Sequence, residues 1–308
     1  MDLETSPNAY DARYRAFLET IANLRPSLHR YCSRMTGSAL DGEDVVQEAL
    51  FQAYRMLDRF DDSRPLSPWL FRIAHNRCID FLRHREVRRE AETVVTEDPA
   101  ADRVLPSDPP GPALGRAVEH LVLSLPPKER ACVLLKDVFD YSLEEIAEMV
   151  DSTVGGVKAA LNRGRSKLPA SPAPVAARRA VQEEDPDLAR ILHLYVERFN
   201  RRDWDGLREL ISDDARLRVG DRFAGRLSDA TYFANYQRLP MSWRLTTGEV
   251  DGETVVIVLS READGTEHET PVRLDLAGGR IVRIVDYLHC PWVLGAAGAV
   301  SVERTLAN

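Results

Sequence analysis

The chain has 308 residues and a mass of 34.7 kDa, with 41 basic side chains against 49 acidic ones and a net charge of −8. That length allows two or three domains with real cores, and 44% hydrophobic with 29% charged residues excludes wholesale disorder. No apolar run approaches the ~18 residues of a membrane span, and the charged start MDLETSPNAYDARYR is neither a secretory signal nor a basic transit peptide, so a cytoplasmic protein without a membrane partner is expected.

In chain order, Ile21, Leu24, Leu28 and Tyr31 recur at helical spacing until Gly37 and Asp41 interrupt. Val45, Val46, Ala49, Leu50, Ala53, Tyr54 and Leu57 make a second amphipathic face. Pro65 and Pro68 close a loop, and Trp69 to Arg89 reads as a third long helix. Residues 91–113 hold five prolines, and five acidic residues against Arg103 alone, so they read as a linker. A second Pro-rich linker covers 169–186. Helical modules are therefore expected over 8–90 and 114–168, and a third module over 187–308.

The third module changes character. Helices are expected over 188–200, 204–211 and 229–239, and strands over 215–219, 243–250, 254–260, 271–276 and 280–288. Asp251-Gly252, Asp264-Gly265 and Gly278-Gly279 lie between strands, where hairpin turns need positive φ. The expectation is an α+β domain on a curved antiparallel sheet. Cys32, Cys78, Cys132 and Cys290 are far apart without a C-x-x-C, so they read as buried thiols, and neither metal nor cofactor is expected. His289-Cys290 lacks an activating third group.

Residues 126–168, PPKERACVLLKDVFDYSLEEIAEMVDSTVGGVKAALNRGRSKL, carry a helix-turn-helix pattern. Lys128 to Phe139 forms the supporting helix, and Ser142 with Glu145 makes a capping box for the next. Leu143, Ile146, Ala147 and Val150 turn inward, Asp151-Ser152 makes the turn, and Thr153 caps the last helix. That helix keeps Val157, Leu161 and Leu168 for the core and Lys158, Arg163, Arg165 and Lys167 outward. From 152 to 168 there are four basic residues and no acid, the charge a major-groove helix needs for phosphates. The blander alternative is a three-helix packing module with a solvated basic face.

The runs DGEDVVQEALFQAYR (41–55) and FDDSRPLSPWLFRIAHNRCIDFLR (60–83) resemble region 2 of the extracytoplasmic-function (ECF) sigma factors of bacterial RNA polymerase, and the helix-turn-helix block resembles their region 4. The resemblance implies two all-α sigma domains that bind the polymerase core through its clamp and flap and recognise promoter DNA at the −10 and −35 elements. It places core contacts at Asp44, Gln47 and Glu48, on a stretch (41–62) with seven acids against Arg55 and Arg59. It places −10 contacts at Phe60, Asp61, Ser63, Arg64, Trp69, Arg72, Asn76, Arg77 and Arg83, with Phe60 and Asn76 as the pocket for a flipped base, though Trp69 and Phe71 suit a core better. It places −35 contacts at Ser152, Thr153, Gly155, Lys158, Arg163 and Arg165. Gly155-Gly156 departs from the common family pattern, and two glycines in a first helical turn weaken it by about 1 kcal/mol each. In the family the linker threads the polymerase cleft, a path suited to the acidic residues 91–113.

Ordinary members end near residue 170. The pattern LYVERFNRRDWDGLRELISDDARLRV and the final GGRIVRIVDY resemble SnoaL-like domains, small cone-shaped α+β barrels that in fused members modulate sigma activity from within the chain. The linker motif expected of the best-known fused subgroup is missing between 169 and 186. Trp204, Tyr232, Trp243, Asp286, Tyr287 and His289 are candidate cavity residues for a small ligand. Asp286 and His289, three apart on an extended strand, face opposite ways and do not form an obvious acid–base couple. No catalytic residue is expected. The alternatives are a ligand-sensing helix-turn-helix regulator, which would have no use for 41–89, and an enzyme housed in 187–308.

Overall fold

A computed structural model describes residues 7–61, 63–93, 122–168, 186–239 and 241–303. The chain forms two compact units, residues 1–178 and 179–308. Apart from 91–93 and 186, both expected linkers lie outside the described residues.

Helix α1 (Pro7–Thr36) ends at Gly37, whose φ of +84° is cheap only for glycine. Ser38 then caps α2 (Ala39–Met56) by accepting from the Asp41 N–H at 3.3 Å. The two helices cross closely at Gly42, where a Cβ would lie 2.4–2.7 Å from Ser33. Helix α2 buries Val45, Val46, Ala49 and Ala53, and α3 (Leu66–Thr93) buries Leu70, Phe71, Ile73, Ala74 and Cys78. After a short turn at Val122–Ser124, α4 (Pro127–Val133) starts with proline at its first position, where no amide donor is missed. The supporting helix, expected as one α-helix to Phe139, widens into a π-helical turn over Leu134–Val138 and stops at Asp140, φ +54°. Helix α5 (Leu143–Met149) has the expected capping box, Asp151 turns the chain at φ +48°, and Thr153 caps α6 (Val154–Lys167). One hydrophobic core runs through this unit, from Phe17 to Cys78 and from Leu125 to Leu161.

The second unit starts with α7 (Pro186–Asn200) and α8 (Trp204–Leu210), the latter capped by Asp203, which accepts from the Gly206 N–H at 2.9 Å. Strands β1 (Ile211–Val219) and β2 (Phe223–Arg226), helix α9 (Tyr232–Arg238), strands β3 (Ser242–Val250), β4 (Glu253–Arg261), β5 (Glu267–Ala277) and β6 (Arg280–Asp286), helix α10 (Trp292–Ala296) and strand β7 (Val300–Val302) follow. The sheet order is β2-β1-β6-β5-β4-β3-β7. Asp251, Gly252, Gly265, Gly278 and Gly279 all take positive φ in the expected turns. The α+β expectation holds, with one correction: the sheet is mixed, because β1 pairs with β6 in parallel, Leu217 opposite Ile284 and Val219 opposite Asp286. Turn signals report only strands adjacent in sequence, whereas β6 reaches β1 after the whole β3–β5 meander. The short β2, β7 and α10 carry too few residues for a periodic signal and were not expected.

Candidate nucleic-acid interface

Helix α6 is fixed from below and left open above. Val157, Ala160, Leu161 and Gly164 face the core, and a Cβ on Gly164 would meet Val133 Cγ2 at 2.8 Å, so the helix rests directly on α4. Thr153 Oγ1 accepts from the Gly156 N–H at 3.0 Å, closing the helix start despite its two glycines. A Cβ on Gly156 would crowd Ser152 Oγ at 2.6 Å, whereas at Gly155 the nearest atom is 3.9 Å away. Thr153, Gly155 and Lys158 are exposed on one face and Ser152 is half-buried beside them. Asn162, exposed one turn beyond Lys158, continues that face. The charge pattern overlooked it because an amide carries no charge, yet Asn reads adenine edges in a major groove. Arg163 and Arg165 are exposed but already partnered. Arg163 Nε donates to Glu129 at 2.9 Å and Arg165 donates twice to Asp137 at 2.5 and 3.1 Å. Lys167 also reaches Glu129, at 2.7 Å, and these two cations hold the Glu129 carboxyl below its usual range.

Around the 57–68 turn, Phe60 lies against Trp69 with ring centroids 4.7 Å apart. Asp61 accepts from the Ser63 N–H at 3.0 Å, and its hydrogen bonds with Ser63 keep its carboxyl low. Trp69, Arg72 and Asn76 follow at helical spacing on α3, with Arg72 and Asn76 exposed and Trp69 half-buried, while Phe71 is in the core. Arg77 donates to Gln52 Oε1 at 2.8 Å, and Arg83 lies 3.9 Å from Asp80. Arg64 and Arg72 turn elsewhere: Arg64 Nη2 is 2.7 Å from Glu148 and Arg72 Nη2 is 3.7 Å from Asp151.

Of the expected core contacts, Glu48 is exposed, Asp44 is half-buried, and Gln47 donates to the buried Glu43 at 3.2 Å. Glu43 itself pairs with Arg25 at 2.5 Å inside the unit. The sequence reading missed Phe51, which is 64% exposed beside Glu48, and put Tyr54 on the amphipathic face, whereas the structure leaves it 44% exposed. The signal for Phe51 was helical phase, because it falls opposite the Val46–Ala49–Ala53 stripe, while Tyr54 lies at the flank of that stripe. Phe51 and Glu48 line an open groove with Gln52, Arg55, Met56, Arg59 and Arg77.

In the second unit two of the six candidate cavity residues, Trp204 and Trp243, pack on Phe199, and Tyr232 and Asp286 join them through Tyr236. The Phe199 ring contacts Trp204 at 5.2 Å, Tyr236 at 5.1 Å and Trp243 at 5.4 Å, and Tyr232 lies 5.3 Å from Tyr236. The fully buried Asp286 accepts from Tyr232 Oη at 2.9 Å, Tyr236 Oη at 2.6 Å and the Leu288 N–H at 2.8 Å. Burial pushes its carboxyl up, and the three donors oppose that shift. Tyr287, buried, and His289, half-buried, follow the end of β6. The Asp286 carboxylate is thus taken up by two tyrosines and a backbone amide, a packing of rings around a satisfied acid.

A capped, basic second helix resting on a supporting helix defines a helix-turn-helix DNA-binding protein. Sigma-70 region 2 matches residues 20–88 and sigma-70 region 4 matches residues 115–168. ECF RNA polymerase sigma factor SigW of Bacillus subtilis (strain 168) is 36% identical over 162 residues, 50% of this chain and 87% of that protein. ECF RNA polymerase sigma factor SigG of Mycobacterium tuberculosis is 31% identical over 218 residues, and the chain spans 58% of its length. A crystal structure of the extracytoplasmic function sigma factor SigJ of Mycobacterium tuberculosis is similar at a TM-score of 0.35 and 18% identity, covering 91% of this chain and 98% of that one. The chain belongs to the ECF RNA polymerase sigma factors. Among the described residues no helix is long and apolar enough to cross a membrane.

Proposed function

We propose that the chain docks on the polymerase core through α2, reads the −10 element with the 60–83 segment and the −35 element with the start of α6, and directs promoter opening without chemistry of its own. The observation that carries this reading is the pairing, in one chain, of an acidic helix face beside exposed aromatic residues with a capped basic recognition helix. Asp44, Gln47 and Glu48 supply charge and amide partners for a basic clamp surface, with Phe51 and Tyr54 as apolar anchors further along the helix. Thr153, Gly155, Lys158 and Asn162 supply the base- and phosphate-facing surface, and Ser152 lies at its edge. Arg163 and Arg165 brace the helix, a role their ion pairs support. The domains run over 8–90, 114–168 and 187–308. The third, SnoaL-like in its sequence pattern, modulates sigma activity in cis through contact with the sigma domains, and the sealed environment of Asp286 supports a non-catalytic role.

Run-off transcription with purified core polymerase tests this. Promoter-dependent transcripts that need the full-length protein are expected. Tight DNA binding by the protein alone, without transcription, would sink the reading in favour of an operator-binding regulator.

A further inference from the structure

The outer face of the sheet in the second unit carries a row of arginines. On β1, Ala215 and Leu217 turn into the core, so Arg216 and Arg218 turn outward. Register then aligns three strands: Arg226 on β2 lies opposite Arg216 on one side, and Arg283 on β6 lies opposite it on the other. Arg216 and Arg226 are exposed, and Arg218 and Arg283 are half-buried. Two acids stand beside the row. Asp275 on β5, in register with Arg283, accepts from it at 3.3 Å. Asp214 is bound by Ser212 Oγ at 2.5 Å, which together with the nearby Arg226 holds its carboxyl low. Among the described residues no carboxylate forms an ion pair with Arg216 or Arg226. Like charges placed directly opposite each other weaken a sheet. Residues 186–308 hold 16 basic side chains against 19 acidic ones, so the row does not follow from a generally basic domain.

The row defines the ligand that would suit it. Adjacent strands lie about 4.8 Å apart, so Arg226, Arg216 and Arg283 are anchored within about 10 Å. Duplex DNA carries one phosphate charge per roughly 1.7 Å of its axis, about six over that span. Guanidinium groups take phosphate oxygens in pairs. A second copy of the chain would instead set like charges against each other. The same chain also supplies a duplex: 18 residues, 168–185, lie between α6 and α7, a tether that reaches at most roughly 65 Å. DNA held by α6 thereby becomes an intramolecular ligand for the row. We propose that the Arg226–Arg216–Arg283 row is a second DNA contact, a phosphate-binding face without base specificity for duplex flanking the site held by α6. The inference rests on the DNA-binding reading of α6 above.

Fluorescence anisotropy of a labelled duplex of mixed sequence, about 40 base pairs long and titrated with the full chain between about 50 and 200 mM salt, tests the proposal. Each phosphate contact contributes about 0.9 to the slope of log affinity against log salt. Arg216→Gln with Arg226→Gln should therefore lower that slope by about 2, and the wild-type advantage should shrink about tenfold across the range. Arg216→Lys with Arg226→Lys keeps the charge and should keep the slope. Arg201→Gln with Arg208→Gln removes the same charge from exposed positions after α7 and on α8. Equal losses from the two glutamine pairs would mean that net charge alone acts, and would overturn the proposal. An unchanged slope in the row variant overturns it too, as does a lack of binding by the wild type at the lowest salt. Lys158→Gln on α6 keeps the two readings apart. A slope lowered there but not in the row variant removes the row alone, and a slope lowered in neither removes both. In a last arm, labelled protein is titrated with core polymerase. Weaker polymerase binding by the row variant, with DNA binding unchanged, would assign the row to an acidic protein surface and overturn the DNA contact.

Discussion

His75 is a buried imidazole that shares a 2.8 Å hydrogen bond with Tyr31, and burial lowers its pKa to about 4, with Lys128 adding to the shift. Between the unfolded value of about 6.5 and that folded value, the unfolded chain binds a proton that the folded chain refuses. Stability should therefore fall as pH drops through this window, and at pH 5 the loss from His75 alone is about 2 kcal/mol. Urea denaturation at pH 7.5 and pH 5 measures it, and His75→Gln should narrow the gap by about that amount. His29, also buried and lowered, keeps a remainder. An unchanged gap in the variant would rule out His75 as the source. At this scale local caps were legible: Ser142–Glu145 and Thr153 were readable because a cap and its partner lie three residues apart. The Tyr232–Tyr236–Asp286 cluster was not, because its acid and its phenols are some 50 residues apart in sequence. The ion pairs that turn Arg163 and Arg165 toward Glu129 and Asp137 were hidden for the same reason.

Helices were more legible than the surfaces between them. The apolar stripes of α2 and α6 follow from their spacing, and so does the exposure of Phe51 once the stripe is drawn. The spacing put Tyr54 on the amphipathic face as well, but the structure leaves it 44% exposed at the edge of that face, its ring against Tyr14. Phe51→Ala should weaken binding to core polymerase about tenfold, as expected for an aromatic anchor at an interface. Its thermal midpoint should stay near the wild-type value, since the ring is mostly in water in the free chain. Fluorescence anisotropy of labelled protein titrated with core polymerase separates these effects. Equal affinity would remove Phe51 from the docking surface. The parallel β1–β6 pair escaped the sequence reading because register across a sheet depends on strands far apart in the chain.

For the whole molecule the total charge of −8 was a poor guide, because acidic residues concentrate on 41–62 and basic ones on 63–90 and 152–168. A protein so divided should bind free DNA weakly and depend on a partner to present it. The unit 179–308 has its own hydrophobic core, so a chain ending at residue 178 isolates the sigma part. Run-off yields from full-length and shortened proteins should differ several-fold if the third domain modulates activity, and equal yields would remove that role. The strand order has a further consequence, in time. Strand β6 joins the β2–β1 hairpin to the β3–β5 meander, and it also carries Asp286 to the tyrosines of α9. Until Arg280–Asp286 leave the ribosome, the sheet exists only as two unjoined pieces with an acid-binding site awaiting its acid. Assembly of this domain therefore waits on a strand made late, after the sigma part of the same chain has been available to fold.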